Sequence, residues 1–145
     1  MLPKNFLIFF AVILFSISIS NNVKAQQAAD PSAYFTIENY YKLQWGHADE
    51  FIALWKKNHY PLLKKLQEQG DVISITAQQP IIHSGEDTRW DFKVILVFKT
   101  VKLAFDYSIT EPFKTQLFPD QEAYKKEEQH RVGALGCACR KYSPR

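Results

Sequence analysis

The stretch FIALWKKNHYPL, residues 51–62, says more about the fold than any other part of the chain. Its apolar and aromatic side chains recur every three or four positions, the spacing of one face of an α-helix. That stripe consists of Phe51, Trp55, His59 and Leu62. The pattern predicts a core-facing helix over residues 48–69, ended by Gly70, which readily adopts a left-handed conformation.

Pro61 interrupts this helix, because proline donates no backbone hydrogen bond and disfavours the α conformation at Tyr60. We therefore expect a kink near residues 58–60. His59 lies on the apolar stripe and beside the kink, where backbone carbonyls lose their usual partners.

Alternation of apolar and polar residues predicts three β-strands around the helix. The first covers residues 34–45, and the second and third cover 71–82 and 89–99. The third is the clearest, since one of its faces carries Trp90, Phe92, Val94, Leu96 and Phe98. The turn-forming composition of residues 83–88 predicts a hairpin between the second and third strands.

The chain after Thr100 predicts a broken helix, whose last piece, residues 121–132, is charged on all sides and so has little face to bury. The tail, residues 133–145, is poorly patterned. A final strand fits residues 135–142, but two glycines and several small side chains make it a weak one.

The order of elements predicts the α+β class, a ferredoxin-like split βαβ domain at residues 34–132 with an antiparallel sheet and a degenerate fourth strand. Helices must cover one face of such a sheet. The other face carries Ile95 and Val97, which two sheets stacked face to face would bury. The sequence therefore predicts a homodimer.

The first twenty-five residues predict a secretory signal peptide. Residues 6–20 are apolar and uncharged after the basic Lys4, and Val23 and Ala25 provide small residues before a cleavage at Gln26. About 20 apolar residues are needed to span a membrane, so this run is short for an anchor. We expect a secreted or periplasmic protein without membrane attachment after cleavage, in which residues 26–33 form a flexible lead-in.

Charge excludes several kinds of partner. The chain has 18 basic and 15 acidic residues. Removal of Lys4 and Lys24 leaves 16 basic residues, and the mature charge is then +1. A near-neutral domain lacks the basic surface that nucleic acids or anionic membranes require. Cys137 and Cys139 are poorly spaced for an unstrained disulfide within one strand, and their role stays open.

Residues 51–62 resemble the first helix of EthD-like proteins, with an aromatic residue, then Trp55, then the sequence His59-Tyr60-Pro61-Leu62. On this motif the chain is similar to the dimeric α+β barrel superfamily, which includes EthD-like proteins, NIPSNAP-like proteins and antibiotic-biosynthesis monooxygenases. In element order the resemblance covers residues 34–130. It implies a ligand space between helices and sheet, and chemistry without a cofactor. The chain departs from the pattern of this superfamily in two ways. Its final strand is weak, whereas these proteins usually end in a well-formed fourth strand. It also carries an export signal, whereas most relatives are cytoplasmic.

His59 is the candidate catalytic residue, because a neutral imidazole can accept or donate a proton near pH 7. The alternative is a structural histidine that hydrogen-bonds a carbonyl freed by Pro61. Tyr40, Tyr41 and Trp55 are candidate ligand-binding residues beside His59, although such aromatic residues more often belong to a core or an interface. No two histidines have metal-ligand spacing, so no metal and no cofactor is predicted.

Three functions follow from these features. The first is an exported homodimer that binds a small apolar or aromatic molecule. The second is an enzyme, either a cofactor-independent oxygenase or a cyclase-type catalyst that uses His59. The third is a structural or interaction module whose interior is filled with side chains. An enclosed cavity that reaches His59 favours the first two over the third.

Overall fold

The computed structural model describes residues 34–82 and 84–144. The predicted signal peptide (residues 1–25) and lead-in (26–33) lie outside the described residues. The elements, in chain order, are β1 (Phe35–Leu43), α1 (Ala48–Leu54), a π-helical turn (Trp55–His59), α2 (Tyr60–Gln69), β2 (Val72–Gln78), a 3₁₀ turn (Glu86–Thr88), β3 (Phe92–Phe98), α3 (Val101–Phe105), α4 (Glu111–Leu117), α5 (Gln121–Gly133) and β4 (Leu135–Pro144).

The four strands form one antiparallel sheet in the order β2-β3-β1-β4. β1 pairs with β3 from Phe35 opposite Phe98 to Tyr41 opposite Phe92. Strands β2 and β3 form the predicted hairpin. The first and third strands thus lie at the centre of the sheet, which is the ferredoxin-like arrangement, and the predicted fold class is confirmed.

The poorly patterned tail forms the edge strand β4. It pairs with β1 from Pro144 opposite Phe35 to Cys137 opposite Lys42, and the register shifts beyond Lys42. A Cβ atom at Gly136 would lie 3.2 Å from the Lys42 carbonyl oxygen. Glycine therefore permits the close approach of the two strands here, and residues 135–144 belong to the same sheet as residues 35–43.

The helix after β1 continues to Gly70 through a π-helical turn at residues 55–59. The Tyr60 amide donates to the Trp55 carbonyl, five residues back. Pro61 has no amide with which to continue the usual ladder, so the expected kink takes the form of a widened turn. Gly70 ends the helix at φ 82°, in the left-handed conformation.

An aromatic group fills one end of the space between this helix and the sheet. The Phe51 ring centroid lies 5.2 Å from that of Tyr41 and 6.1 Å from that of Phe92. Trp55 stands 5.1 Å from Phe92 at 70°. Such tilted and edge-on pairs contribute beyond their buried area. We call Tyr41, Phe51, Trp55 and Phe92 the aromatic core.

Two residues that alternation would place on the helix-facing side of the sheet lie elsewhere. Ile73 falls in an irregularity between Val72 and Ser74, and it is 41% exposed. Trp90 precedes β3 and packs edge-on against Tyr40, with ring centroids 6.0 Å apart. The simple two-residue period fails at both positions because one is an extra residue in its strand and the other lies outside the strand ladder.

The outer face of the sheet, turned away from the helices, differs in part from the expectation. Ile95 is half-buried, and Val97 is only 4% exposed within the single chain. Val97 is therefore not available to a partner, and less apolar surface remains on this face than alternation implied.

The helices of the second half of the chain bury little. α5 has no buried residue, as its charge pattern predicted. In the described part of the chain, no helix is both long and apolar enough to cross a membrane.

Candidate ligand cavity

A cavity of about 390 Å³ lies between the helix-facing side of the sheet and the helices. Strands β1, β3 and β4 form its floor, while α2, α3, α5 and the segment before α4 form its walls. Most of the lining is apolar, including Ile37, Leu63, Leu66, Leu96, Phe98 and Leu103. The polar groups are few and come from Asn39, Tyr41, His59, Asp106, Tyr107, Thr110, Arg131 and Arg140.

His59 reaches this cavity from the end of the π-helical turn. Its ring is half-buried and lies 6.3 Å from the Trp55 ring. Burial, and after it the nearby positive charge of Arg131, lower the pKa of His59 to about 4. The imidazole is therefore neutral at pH 7, and the lowered pKa makes it a weaker base than an ordinary histidine.

Within residues 34–82 and 84–144, no hydrogen bond to the His59 ring is present. The structural alternative, in which His59 ties down a carbonyl freed by Pro61, is therefore not seen. The turn is held instead by its neighbours: the Asn58 amide donates to Glu127 of α5 over 3.0 Å, and Lys57 pairs with the same carboxylate over 2.6 Å. These contacts fix the wall that carries His59 against the wall that carries Arg131.

The two predicted tyrosines lie on opposite faces of the sheet. Tyr41 points to the helices and lines the cavity, and burial raises the pKa of its phenol. Tyr40 lies on the outer face, where its hydroxyl donates to Glu38 and Lys93 stands 5.5 Å above its ring. Successive residues of a strand point to opposite faces, so the structure does not bring Tyr40 to the cavity.

Trp55 is also displaced from the predicted group. It is 2% exposed and belongs to the aromatic core. Its other side lines a second, separate space of about 480 Å³ together with Tyr60 and Ile75. Of the four predicted site residues, the cavity of about 390 Å³ therefore unites Tyr41 and His59 only.

Asn39 and Arg140 are site residues that the sequence reasoning missed. Asn39 is 8% exposed, and its side-chain oxygen accepts a 2.8 Å hydrogen bond from Nε of Arg140. Asn39 lies on the inward face of β1 between Ile37 and Tyr41. A polar residue in this otherwise apolar row was a sequence signal that could have identified it as a site residue. Arg140 gave none, because its position depends on the register of β4.

Two further charged residues line the cavity. Arg131 forms a two-bond ion pair with Glu128, at 3.0 and 2.7 Å. Asp106 accepts hydrogen bonds from the backbone amide and hydroxyl of Ser108, at 3.0 and 2.6 Å, which lower the pKa of its carboxyl group. Both charges are therefore partnered by groups of their own helix or turn.

Among the described residues, no group of three or more His, Cys, Asp or Glu side chains could hold a metal ion. Cys137 and Cys139 are free and exposed. Both pair with β1 positions whose side chains point to the outer face, so neither thiol belongs to the cavity.

No family model matches the sequence, and no curated protein matches it. Solved structures similar to this chain include a NIPSNAP family protein from Agrobacterium tumefaciens (10% identity, TM-score 0.49, 78% of this chain and 86% of that chain). A dimeric ferredoxin-like protein of unknown function from Bacteroides fragilis has 9% identity and a TM-score of 0.48, over 77% and 96% of the two chains. A cofactor-independent oxygenase from Streptomyces nogalater has 12% identity and a TM-score of 0.44, over 77% and 91%. The likeness to these structures concerns the fold alone.

Proposed function

We propose that this protein is an exported homodimer that binds a small apolar or aromatic molecule between its helices and its sheet. The observation that carries the proposal is the cavity of about 390 Å³, whose lining is mostly apolar and which reaches His59. Small-molecule sites are typically concave and apolar, with a few polar groups that orient the ligand. A module filled with side chains, the third function considered above, would lack this space.

Binding can be tested with N-phenyl-1-naphthylamine, an uncharged aromatic dye that fluoresces in apolar surroundings. Ala138 lines the cavity beside Tyr41, its partner in the β1–β4 register. Ala138→Phe places a ring in the cavity, and we expect dye affinity to fall about tenfold or more. Ala53→Phe makes the same change at an exposed position of α1 outside the cavity lining. Equal affinity in the two variants would overturn the proposed site.

A second candidate function is proton-transfer catalysis, as in a cofactor-independent oxygenase or a cyclase. The observation behind it is the position of His59, an unprotonated imidazole in the lining of an apolar cavity, because removal of a proton from carbon begins both kinds of reaction. The lowered pKa limits the strength of this base, so the reaction must involve a carbon acid that ionises readily. Anthrone, a tricyclic aromatic ketone with acidic C–H bonds, serves as the probe. The protein should accelerate deuterium exchange into anthrone at pH 7, and His59→Gln should abolish the acceleration while it retains anthrone binding. No acceleration by the parent protein would remove this candidate.

The homodimer is proposed from the apolar residues that remain accessible on the outer face of the sheet. Ile95 is the position to test, since Val97 is buried and its replacement would disturb the single chain. We expect Ile95→Lys to shift the mass measured by light scattering toward one chain at micromolar concentration. Ile81→Lys is the matched control, because Ile81 is fully exposed in the loop after β2. A monomeric parent protein would contradict the proposal.

Export is proposed from the N-terminal sequence alone. Protein recovered from the periplasm or medium should begin at Gln26 on N-terminal sequencing. An intact Met1 on exported material would contradict the proposed cleavage.

A further inference from the structure

We propose that the cavity selects ligands that carry an anionic group, a carboxylate, sulfonate or enolate, and that Arg140 binds that group. This rests on the proposed function, since it assumes that the cavity holds a small aromatic molecule. It adds the chemical class of the ligand and the residue that recognises it.

Arg140 lines the cavity without a carboxylate partner in the described part of the chain. Its Nε atom donates to Oδ1 of Asn39, a neutral acceptor. The neutral phenols of Tyr107 and Tyr142 lie near it. A guanidinium held only by neutral groups keeps its full charge for a ligand.

The other cavity-lining arginine, Arg131, differs in this respect. The Arg131 guanidinium is neutralised by both oxygens of Glu128. The Asp106 carboxylate accepts two bonds from Ser108, both at Oδ1, and Lys102 is the positive charge near it. Since His59 is uncharged at pH 7, Arg140 is the cation of the described lining that lacks a counter-ion.

The bond to Asn39 also orients Arg140. Asn39 is buried on the central strand β1, so its side-chain oxygen is a fixed point for one edge of the guanidinium. A guanidinium fixed in this way loses less conformational freedom when it binds, and its planar fork suits the paired oxygens of an acid group. Arg140 is itself exposed on the edge strand β4, so water and salt partly screen the contact.

Two dyes that differ by a single group provide the test. 8-Anilino-1-naphthalenesulfonate is N-phenyl-1-naphthylamine with an added sulfonate, so their affinity ratio isolates recognition of the anion. We expect Arg140→Gln to lower the affinity for the sulfonate dye about tenfold or more, as for loss of a charge-assisted hydrogen bond. The affinity for the neutral dye should change less than about twofold. Added salt should weaken only the sulfonate dye in the parent protein.

Lys141→Gln is the matched control. It removes the same charge from the next residue of β4, whose ammonium group lies on the outer face, 5.0 Å from the Tyr40 ring. This variant should keep the dye ratio of the parent protein. Arg140→Lys, which keeps the charge, should retain part of the preference, and it also serves if Arg140→Gln does not fold.

The outcomes separate the two proposals. If neither dye binds the parent protein, the proposed function fails, and this inference fails with it. If both dyes bind but Arg140→Gln weakens them equally, or Lys141→Gln lowers the ratio as much, ligand binding stands and the role of Arg140 is overturned.

Discussion

The helix-facing side of the sheet has two regions that are built differently. At one end, the helix over residues 48–69 covers the sheet with the aromatic core, where Phe51 has no exposed surface and Trp55 has 2%. At the other end, α3, the segment before α4, and α5 leave a cavity of about 390 Å³. One sheet thus supports a packed region that supplies stability and an open region that can receive a molecule.

The difference arises from the covering helices. The helix over residues 48–69 presents a continuous apolar stripe. α3 and α4 have five and seven residues, and α5 has no buried residue. Short or polar helices cannot fill the space above an apolar floor, and the gap they leave is lined by the ends of several elements.

The largest expected effect is on the aromatic core. Phe51→Ala should lower the free energy of unfolding by about 3–5 kcal/mol, because it deletes a fully buried ring. Phe113→Ala makes the same deletion on α4, where the ring is half-buried against the core, and should cost about 1–2 kcal/mol. Urea denaturation monitored by circular dichroism gives both values. Equal losses would refute the contrast between the two regions.

An intermediate effect is expected for His59, at the border of the two regions. Its pKa is lowered to about 4 in the folded state, against an ordinary value of 6.5. The unfolded chain therefore binds a proton between about pH 6.5 and pH 4 while the folded protein does not, and stability falls as the pH falls through this window. Groups that face the ring are Arg131, Glu128 and Lys114.

The comparison of His59→Gln with the parent protein isolates this contribution, since the other titrating groups are shared. Between pH 7 and pH 4, the parent should lose about 2–3 kcal/mol more than the variant. Urea denaturation at a series of pH values measures the difference. Parallel pH profiles would show that the ring titrates alike in the folded and unfolded states.

The smallest expected effect is on the stability of the open region. Val132 lines the cavity but is 53% exposed. Val132→Ser should change the free energy of unfolding by no more than about 0.5 kcal/mol. It should nevertheless lower the affinity for N-phenyl-1-naphthylamine, because it makes part of the cavity lining polar. A large loss of stability would show that Val132 belongs to the packed region.

Much of the fold could be predicted because its signals are local. The stripe of residues 51–62 predicted the central helix, and Pro61 and Gly70 marked its kink and its end. Alternation predicted β1, β2 and β3 as well as the hairpin. Each of these signals arises from neighbours within one element, where side-chain period and backbone geometry are tied together.

The candidate site was predicted only in part. His59 and Tyr41 were recognised as polar or aromatic residues beside the core, and the cavity contains both. Tyr40 was placed with its neighbour, although adjacent strand residues face opposite ways. Trp55 was assigned to the ligand site because it is aromatic and near His59, but only the packing of the helix on the sheet decided that its ring belongs to the core.

By itself, the sequence determined the ferredoxin-like order of elements, the core-facing helix and the position of His59 beside a kink in that helix. Only the tertiary structure decided that the weakly patterned tail becomes β4, and that Arg140 thereby meets Asn39, 101 residues earlier. The physical reason is range: periodicity acts within an element, whereas strand register and the unfilled space depend on how distant elements pack.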